Sequence, residues 1–165
     1  MVLAAVLSAL GVVILLVGSL VQVLDISMAV IASLLVVFAV IELRGPYPYL
    51  VYAVTSVLAL LLPMKSAAIV YLLFAGYYPI IKAAVEGHLS RTLAWVVKLL
   101  VFNLVLGVAV LLVVWLAFAE IPPEWVKYWW LLLVLEPVFV LYDIALTRLI
   151  TVYVLRLRQR LRFLK

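Results

Sequence analysis

The sequence predicts an all-α integral membrane protein that forms one bundle of six transmembrane helices. Hydrophobic residues make up 72% of the 165 residues, charged residues make up 12%, and the mean hydropathy is +1.45. Soluble domains are only about half apolar, so this composition leaves no room for a water-soluble domain. Apolar runs near the ~20 residues that cross a bilayer alternate with short polar breaks. One compact bundle is expected over 1–165, without a second folded unit.

The six spans are predicted from breaks that carry proline, glycine or charged residues. The first break is Asp25-Ile26-Ser27, and the second, Arg44-Gly45-Pro46-Tyr47-Pro48, has two prolines that start a helix better than they continue one. The second and third spans are short. The spans lie near 2–23, 28–43, 48–63, 66–84, 93–118 and 127–150, and a basic tail follows over 151–165.

Lysine and arginine are divided unequally between the two sides of these spans. One side keeps only Lys65 and Lys127, whereas the other holds most of the remaining basic residues and the arginine-rich tail. The positive-inside rule therefore predicts that both termini are cytoplasmic. The tail is expected to anchor the last helix against anionic headgroups. At the outer interface an aromatic anchor is expected from Trp125, Tyr128, Trp129 and Trp130.

One run in the fourth span combines residues that lipid disfavours. Gly76-Tyr77-Tyr78-Pro79 is followed by Lys82 and Glu86, and residues four apart share a helix face. Pro79 cannot donate to the carbonyl of Ala75, so the helix is expected to bend beside Gly76. A freed carbonyl is tolerated in lipid only where protein or water satisfies it. This segment is therefore expected to face the inside of the bundle.

Five ionisable side chains are expected in one layer in the cytoplasmic third of the bundle. Their opposite signs favour mutual pairing, with Lys98 and Asp143 as the first pair expected. Two interpretations are open: a structural layer of salt bridges whose lysines extend to the headgroups, or a relay for protons or ions. The layer comprises Glu42, Lys82, Glu86, Lys98 and Asp143.

Asn103 and Glu136 are the polar side chains expected near the middle of the membrane. Pro137 should kink the sixth span, because the carbonyl of Leu133 loses its donor. A kink beside a carboxylate would shape a cavity that opens outward, with Tyr71 near its mouth. Glu136, Asn103 and Tyr71 are therefore the candidate substrate-binding residues. Alternatively, a protonated Glu136 bonds to Asn103 in an interhelical hydrogen bond of ~0.6 kcal/mol.

The residue inventory does not favour catalysis or a bound cofactor. The chain has no cysteine and one histidine, His88, in a polar loop. No nucleophile set and no glycine-rich phosphate loop is found. The sequence therefore predicts no catalytic residue, no metal, no cofactor and no nucleic-acid partner, so the protein is not expected to be an enzyme.

Small residues line one face of the first helix: Ala4, Ala5, Ser8, Ala9 and Gly11. Such a face lets helix backbones approach closely. It serves either packing within the bundle or the docking of a partner protein.

Six short helices, two cytoplasmic termini, this small-residue face and the chain length resemble the substrate-binding S-components of energy-coupling factor vitamin transporters. The resemblance implies a bacterial inner-membrane protein that captures a small molecule from the outer face without catalysis. It also implies separate partner chains, namely a transmembrane coupling subunit that contacts the first-helix face and ATPase subunits.

Two further resemblances imply other roles. The turn Ile41-Glu42-Leu43-Arg44-Gly45-Pro46 before a short apolar helix is similar to the rod shape-determining membrane protein D, a scaffold of bacterial cell elongation. The alternative function is thus a non-catalytic scaffold that binds partners through the first helix and the basic tail. The Gly76-Tyr77-Tyr78-Pro79 run and residues 142–150 are also similar to a family of bacterial membrane proteins without an assigned function.

Overall fold

The computed structural model describes residues 1–43, 45–62, 65–117 and 130–157. Within these ranges the regular structure is entirely helical and no strand is present, which confirms the predicted all-α class. The chain divides into two compact units, Met1–Gly107 and Val108–Lys165.

The described residues form seven α-helices. The first unit contains α1 (Val2–Leu20), α2 (Asp25–Glu42), α3 (Tyr47–Leu60), α4 (Ser66–Val70), α5 (Tyr78–His88) and most of α6 (Arg91–Ala117). The second unit contains the end of α6 and all of α7 (Trp130–Val152). Shorter elements are a 3₁₀ turn at Gln22–Leu24 and π-helical turns at Tyr71–Ala75 and Tyr153–Leu157.

The corner between α1 and α2 lies earlier than the sequence predicts. The chain turns at Val21, whose N–H donates to the Gly18 carbonyl over 3.0 Å, and Leu24 N then donates to Val21 O over 2.7 Å. Asp25 is already the first residue of α2, so the predicted break at Asp25-Ile26-Ser27 is wrong. A carboxylate is favoured in the first turn of a helix because it faces the positive end of the helix dipole.

The corner between α2 and α3 follows the sequence expectation. Gly45 has φ of 75°, a left-handed conformation that glycine adopts without steric cost. Pro48 then lies in the first turn of α3, where its missing N–H costs no helical hydrogen bond. The two prolines therefore start the helix, as predicted.

Helix α1 packs closely with α2, α3 and α4 along its small-residue face. A Cβ on Gly11 would lie 2.9 Å from Thr55 Cγ2 on α3, and one on Gly18 would lie 2.6 Å from Met28 Cβ on α2. Leu15, between these glycines on the same face, is fully buried. The part of the helix that carries Gly11, Leu15 and Gly18 is thus used for packing inside the first unit, because the glycines leave room for neighbouring helices.

Five helical segments are long and apolar enough to cross a membrane: Val2–Leu20, Asp25–Glu42, Ser66–His88, Arg91–Leu112 and Leu133–Arg156. Helix α3 is apolar but has only 14 residues. At ~1.5 Å per residue it is about 21 Å long, less than the ~30 Å hydrocarbon thickness. Of the predicted aromatic anchor, Trp125, Tyr128 and Trp129 lie outside the described residues, as does the tail from 158 onward.

The packing of Gly18 predicts a selective loss of stability in Gly18→Ala. We expect the free energy of unfolding to fall by about 1–3 kcal/mol, because the new methyl group collides with a Cβ that cannot rotate away. Gly107→Ala is the matched control, since a Cβ there meets nothing within 4 Å. Unfolding in one detergent measures both variants. Equal losses would contradict the close approach of α1 and α2.

Candidate functional site

The fourth apolar segment, Ser66–His88, is one helical span that contains a π-helical turn, and it is called the broken helix below. After α4, the π-helical turn Tyr71–Ala75 ends with Gly76 N donating to Tyr71 O over 2.7 Å, five residues back. Residues 76 and 77 form a turn, and α5 then begins with Pro79 in its first helical turn. The π-helical turn ends immediately before Gly76, and the predicted bend beside that residue stays a prediction.

Tyr52 of α3 satisfies a backbone carbonyl in this broken helix. In a regular α-helix Gly76 N would donate to Leu72 O, but the π-helical bond diverts that N–H to Tyr71. The Tyr52 hydroxyl donates to Leu72 O instead, over 2.9 Å. A neighbouring side chain thus bonds the Leu72 carbonyl, which the π-helical turn deprives of its usual donor. The sequence names a different carbonyl, that of Ala75, and its satisfaction stays a prediction.

Aromatic rings enclose the break, and Gly76 makes their approach possible. A Cβ on Gly76 would lie 2.8 Å from ring atoms of both Tyr52 and Tyr71. The centroids of those two rings are 6.1 Å apart, and Tyr77 meets Tyr52 edge to face at 6.4 Å. Tyr71 is fully buried, whereas Tyr52, Phe74 and Tyr77 are half-buried. The break therefore presents partly exposed aromatic surface.

Two buried lysines meet at one carboxylate oxygen. Lys82 Nζ on α5 and Lys98 Nζ on α6 each donate to Glu86 Oε1 over 2.8 Å. Both lysine side chains are 2% exposed, whereas the Glu86 side chain is 42% exposed. Lys98 Nζ also lies 4.2 Å from the centroid of the Trp95 ring, a cation–π distance. This Lys82–Glu86–Lys98 group is named the ion cluster below.

The ion cluster lies in an antiparallel seam between the broken helix and α6. Phe74 meets Phe102 edge to face at 5.6 Å and stacks on Tyr78 at 6.3 Å. Lys82 follows Tyr78 by one turn, and Lys98 precedes Phe102 by one turn, so a charged layer succeeds an aromatic one along the seam. Desolvated ammonium groups need such fixed partners.

The predicted substrate-binding residues have different environments. Tyr71 is fully buried in the hydrophobic core of the first unit. Asn103 is exposed on α6, and its Nδ2 donates to Leu99 O of the same helix over 3.0 Å. Glu136 is half-buried on α7, in the second unit. Their joint role as a substrate site stays a prediction.

Within the predicted charged layer, the structure brings together Lys82, Glu86 and Lys98. Glu42 ends α2 and is exposed, whereas Asp143 is only 2% exposed on α7, on one face with Phe139 and Leu146. The salt bridge described for Lys98 is with Glu86. Pairing of Lys98 with Asp143 stays a prediction.

The predicted partner face of α1 divides into a buried and an exposed part. Ala4, Ser8 and Gly11 are buried, and Ser8 Oγ donates to Ala4 O over 3.0 Å. Ala5 and Ala9 are exposed. Of the five predicted partner-face residues, Ala5 and Ala9 are therefore the two that are accessible.

Two contributors to these sites were missed by the sequence analysis. Tyr52 is one of three tyrosines on α3, and a phenol within an apolar helix could have marked it as a hydrogen-bond donor. Trp95 precedes Lys98 by three residues on a helix, a spacing that places both on one face. In the described residues no group of three or more histidine, aspartate or glutamate side chains is placed to hold a metal ion.

Comparisons with models of protein families, with curated proteins and with solved structures find no match to this chain. The class is defined by the chain's own features: an all-helical protein with five helices long and apolar enough to cross a membrane. Within it, a broken helix carries an aromatic surface and the ion cluster.

Replacing Tyr52 by phenylalanine tests the hydrogen bond to the broken helix. We expect Tyr52→Phe to lower the free energy of unfolding by about 1–2 kcal/mol, because the Leu72 carbonyl loses its donor. Tyr49→Phe on the same helix is the control, since Tyr49 is 57% exposed. Thermal unfolding in detergent compares the two variants. An equal response would show that the Leu72 carbonyl does not depend on Tyr52.

Replacing Glu86 by glutamine tests the ion cluster as a structural element. We expect Glu86→Gln to destabilise the protein by about 1–2 kcal/mol, because two buried ammonium groups lose a charged acceptor that is itself partly solvent-screened. Arg91→Gln, an exposed charge near the same helix end, should change stability by less than about 0.5 kcal/mol. Chemical unfolding in phosphatidylcholine bicelles supplies both values. If the two variants have the same free energy of unfolding, the ion cluster does not stabilise the protein.

Proposed function

We propose that the protein is the membrane-embedded, small-molecule-binding subunit of a transporter. It captures its substrate from the outer face and depends on separate energy-coupling chains. The observation that carries the proposal is the π-helical turn Tyr71–Ala75 between α4 and α5, with half-buried aromatic rings around it. Non-helical or π-helical backbone is frequent at functional sites.

The aromatic rings at the break supply a surface for an apolar or ring-containing molecule. Tyr52, Phe74 and Tyr77 are the half-buried members, and aromatic side chains dominate small-molecule sites. A polar group is also close to these rings. The buried Ser56 hydroxyl lies beside the Tyr52 phenol and interacts with it.

The proposed membrane arrangement has six spans. The five long apolar segments supply five of them, and the short α3 supplies the sixth. The distribution of lysine and arginine then orients both termini to the cytoplasm of a bacterial cell. The ion cluster, near the α5–α6 connection, lies on the cytoplasmic side in this arrangement, and the break lies deeper in the membrane.

The coupling partner is proposed to meet α1 through its exposed small residues. Ala5 and Ala9 are one turn apart and exposed, whereas Ala4, Ser8 and Gly11 are engaged inside the first unit. A transmembrane coupling subunit would approach the helix backbone closely at these alanines. ATPase subunits would then join through that partner.

Native mass spectrometry of protein extracted from its own membranes tests the proposal. We expect one small molecule to be retained stoichiometrically and lost in Tyr77→Ala, because that substitution removes aromatic surface at the break. Tyr49→Ala is the matched control and should retain the molecule. Glu136→Gln determines whether the carboxylate of α7 also contributes.

If the extracted protein retains only lipid, or only a co-purifying membrane protein, the result would contradict the capture of a small molecule. That result would favour the scaffold function implied by the similarity to the rod shape-determining membrane protein D. Retention that is unchanged in Tyr77→Ala but lost in Glu136→Gln would move the substrate site from the break to α7.

A further inference from the structure

Two buried oxygen atoms at the corner between α1 and α2 have no hydrogen-bond donor among the described residues. Asp25 is half-buried as a residue, but its Oδ1 atom is buried and accepts no hydrogen bond there. Ser19 is 1% exposed, so its carbonyl is buried as well. Helix α1 ends at Leu20, so no N–H of α1 can reach this carbonyl, and no other backbone N–H in the described ranges donates to it. Buried acceptors of both kinds normally have a partner.

The packing of α1 against α2 places the two oxygens at the same end of the helix pair. A Cβ on Gly18 would lie 2.6 Å from Met28 Cβ, so the helices touch at that level. Ser19 follows Gly18 directly, and Asp25 precedes Met28 by about one turn. One short turn at Gln22–Leu24 joins the helices, so they run antiparallel. Because the carbonyls of α1 point toward its C-terminus, Asp25 lies at the carbonyl end of α1.

This corner favours positive charge. The C-terminus of α1 is the negative end of its helix dipole, and its last turn contains no basic residue. Asp25 adds a formal negative charge at the same place. The start of α4 is also close, since Ala67 Cβ would lie 3.4 Å from a Cβ on Gly18. The basic residue there, Lys65, is exposed and donates no hydrogen bond to Asp25 Oδ1.

We propose that the corner binds a sodium ion through Asp25 Oδ1 and the carbonyl of Ser19. Carboxylate and carbonyl oxygens are the ligands of hard cations, and the C-terminal ends of helices coordinate Na⁺ in membrane transporters. One carboxylate balances one positive charge, which favours a monovalent ion. In the part of the chain that the structure describes, no group of three or more acidic or histidine side chains is placed to hold a metal ion of higher charge. The site is separate from the aromatic break, and it does not depend on the transport function proposed above.

The test measures the binding of radioactive sodium to the full-length chain in phosphatidylcholine nanodiscs, with choline chloride to keep the ionic strength constant. We expect saturable binding to the wild type that unlabelled sodium chloride displaces and further choline chloride does not. Asp25→Asn should lower the affinity at least about tenfold, because the amide keeps the shape of the side chain but not its charge. Glu42→Gln, the matched control, removes an exposed carboxylate at the other end of α2 and should bind sodium like the wild type.

Thermal unfolding of the same nanodisc samples gives an independent readout. An ion that binds only the folded state raises the unfolding temperature by mass action, so sodium should stabilise the wild type and Glu42→Gln but not Asp25→Asn. Equal sodium affinities in Asp25→Asn and the wild type would overturn the site. Displacement by choline as effective as that by sodium would show charge screening alone and would also overturn it. If Asp25→Asn does not fold, the wild type still decides, because the absence of saturable sodium binding is sufficient to reject the proposal.

Discussion

One backbone carbonyl, that of Leu72, links α3 to the fourth apolar segment of the first unit. In the π-helical turn at Tyr71–Ala75, the N–H of Gly76 donates to the carbonyl of Tyr71 instead of that of Leu72. The Tyr52 hydroxyl donates to the Leu72 carbonyl in its place. Inside a bilayer there is no bulk water to do this, so α3 must lie where its phenol reaches the broken helix. Gly76 is required at the same point, because only a residue without a side chain lets the two tyrosine rings approach. The break and the helix that supports it therefore form one structural element.

A second constraint acts on the seam between α5 and α6. Lys82 and Lys98 are too buried to reach water, and an isolated ammonium group in a low-dielectric medium is very unfavourable. Glu86 lies one turn from Lys82 along α5 and across the seam from Lys98, which fixes the register of the two helices. The aromatic contact between Phe74 and Phe102 is consistent with the same antiparallel register. Charge pairing and aromatic packing thus define the relative placement of these two helices together.

The sequence supports the fold class and the position of the break but not the contacts around them. Composition and apolar run length are sufficient for an all-helical chain, and Pro79 with Gly76 is sufficient for an interruption, because both follow from local backbone chemistry. The break predicted at Asp25 is wrong, because a polar residue between apolar runs can equally open a helix. The donor that Tyr52 provides comes from 20 residues away, and no local pattern specifies such a tertiary contact. Likewise, the sequence offers Lys98 several carboxylates at suitable depth, and the packing of α5 against α6 places Glu86 beside it.

Helix α3 has a further consequence for the surrounding lipid. In a six-span arrangement its 14 residues leave about 9 Å of hydrocarbon thickness unmatched. A membrane relieves such a hydrophobic mismatch by thinning next to the short helix or by recruiting lipids with shorter chains. The protein would therefore carry an asymmetric annulus, thin beside α3 and of ordinary thickness beside α6. A partner whose own spans are short would be drawn to the thin side, so bilayer elasticity itself would help to orient an assembly.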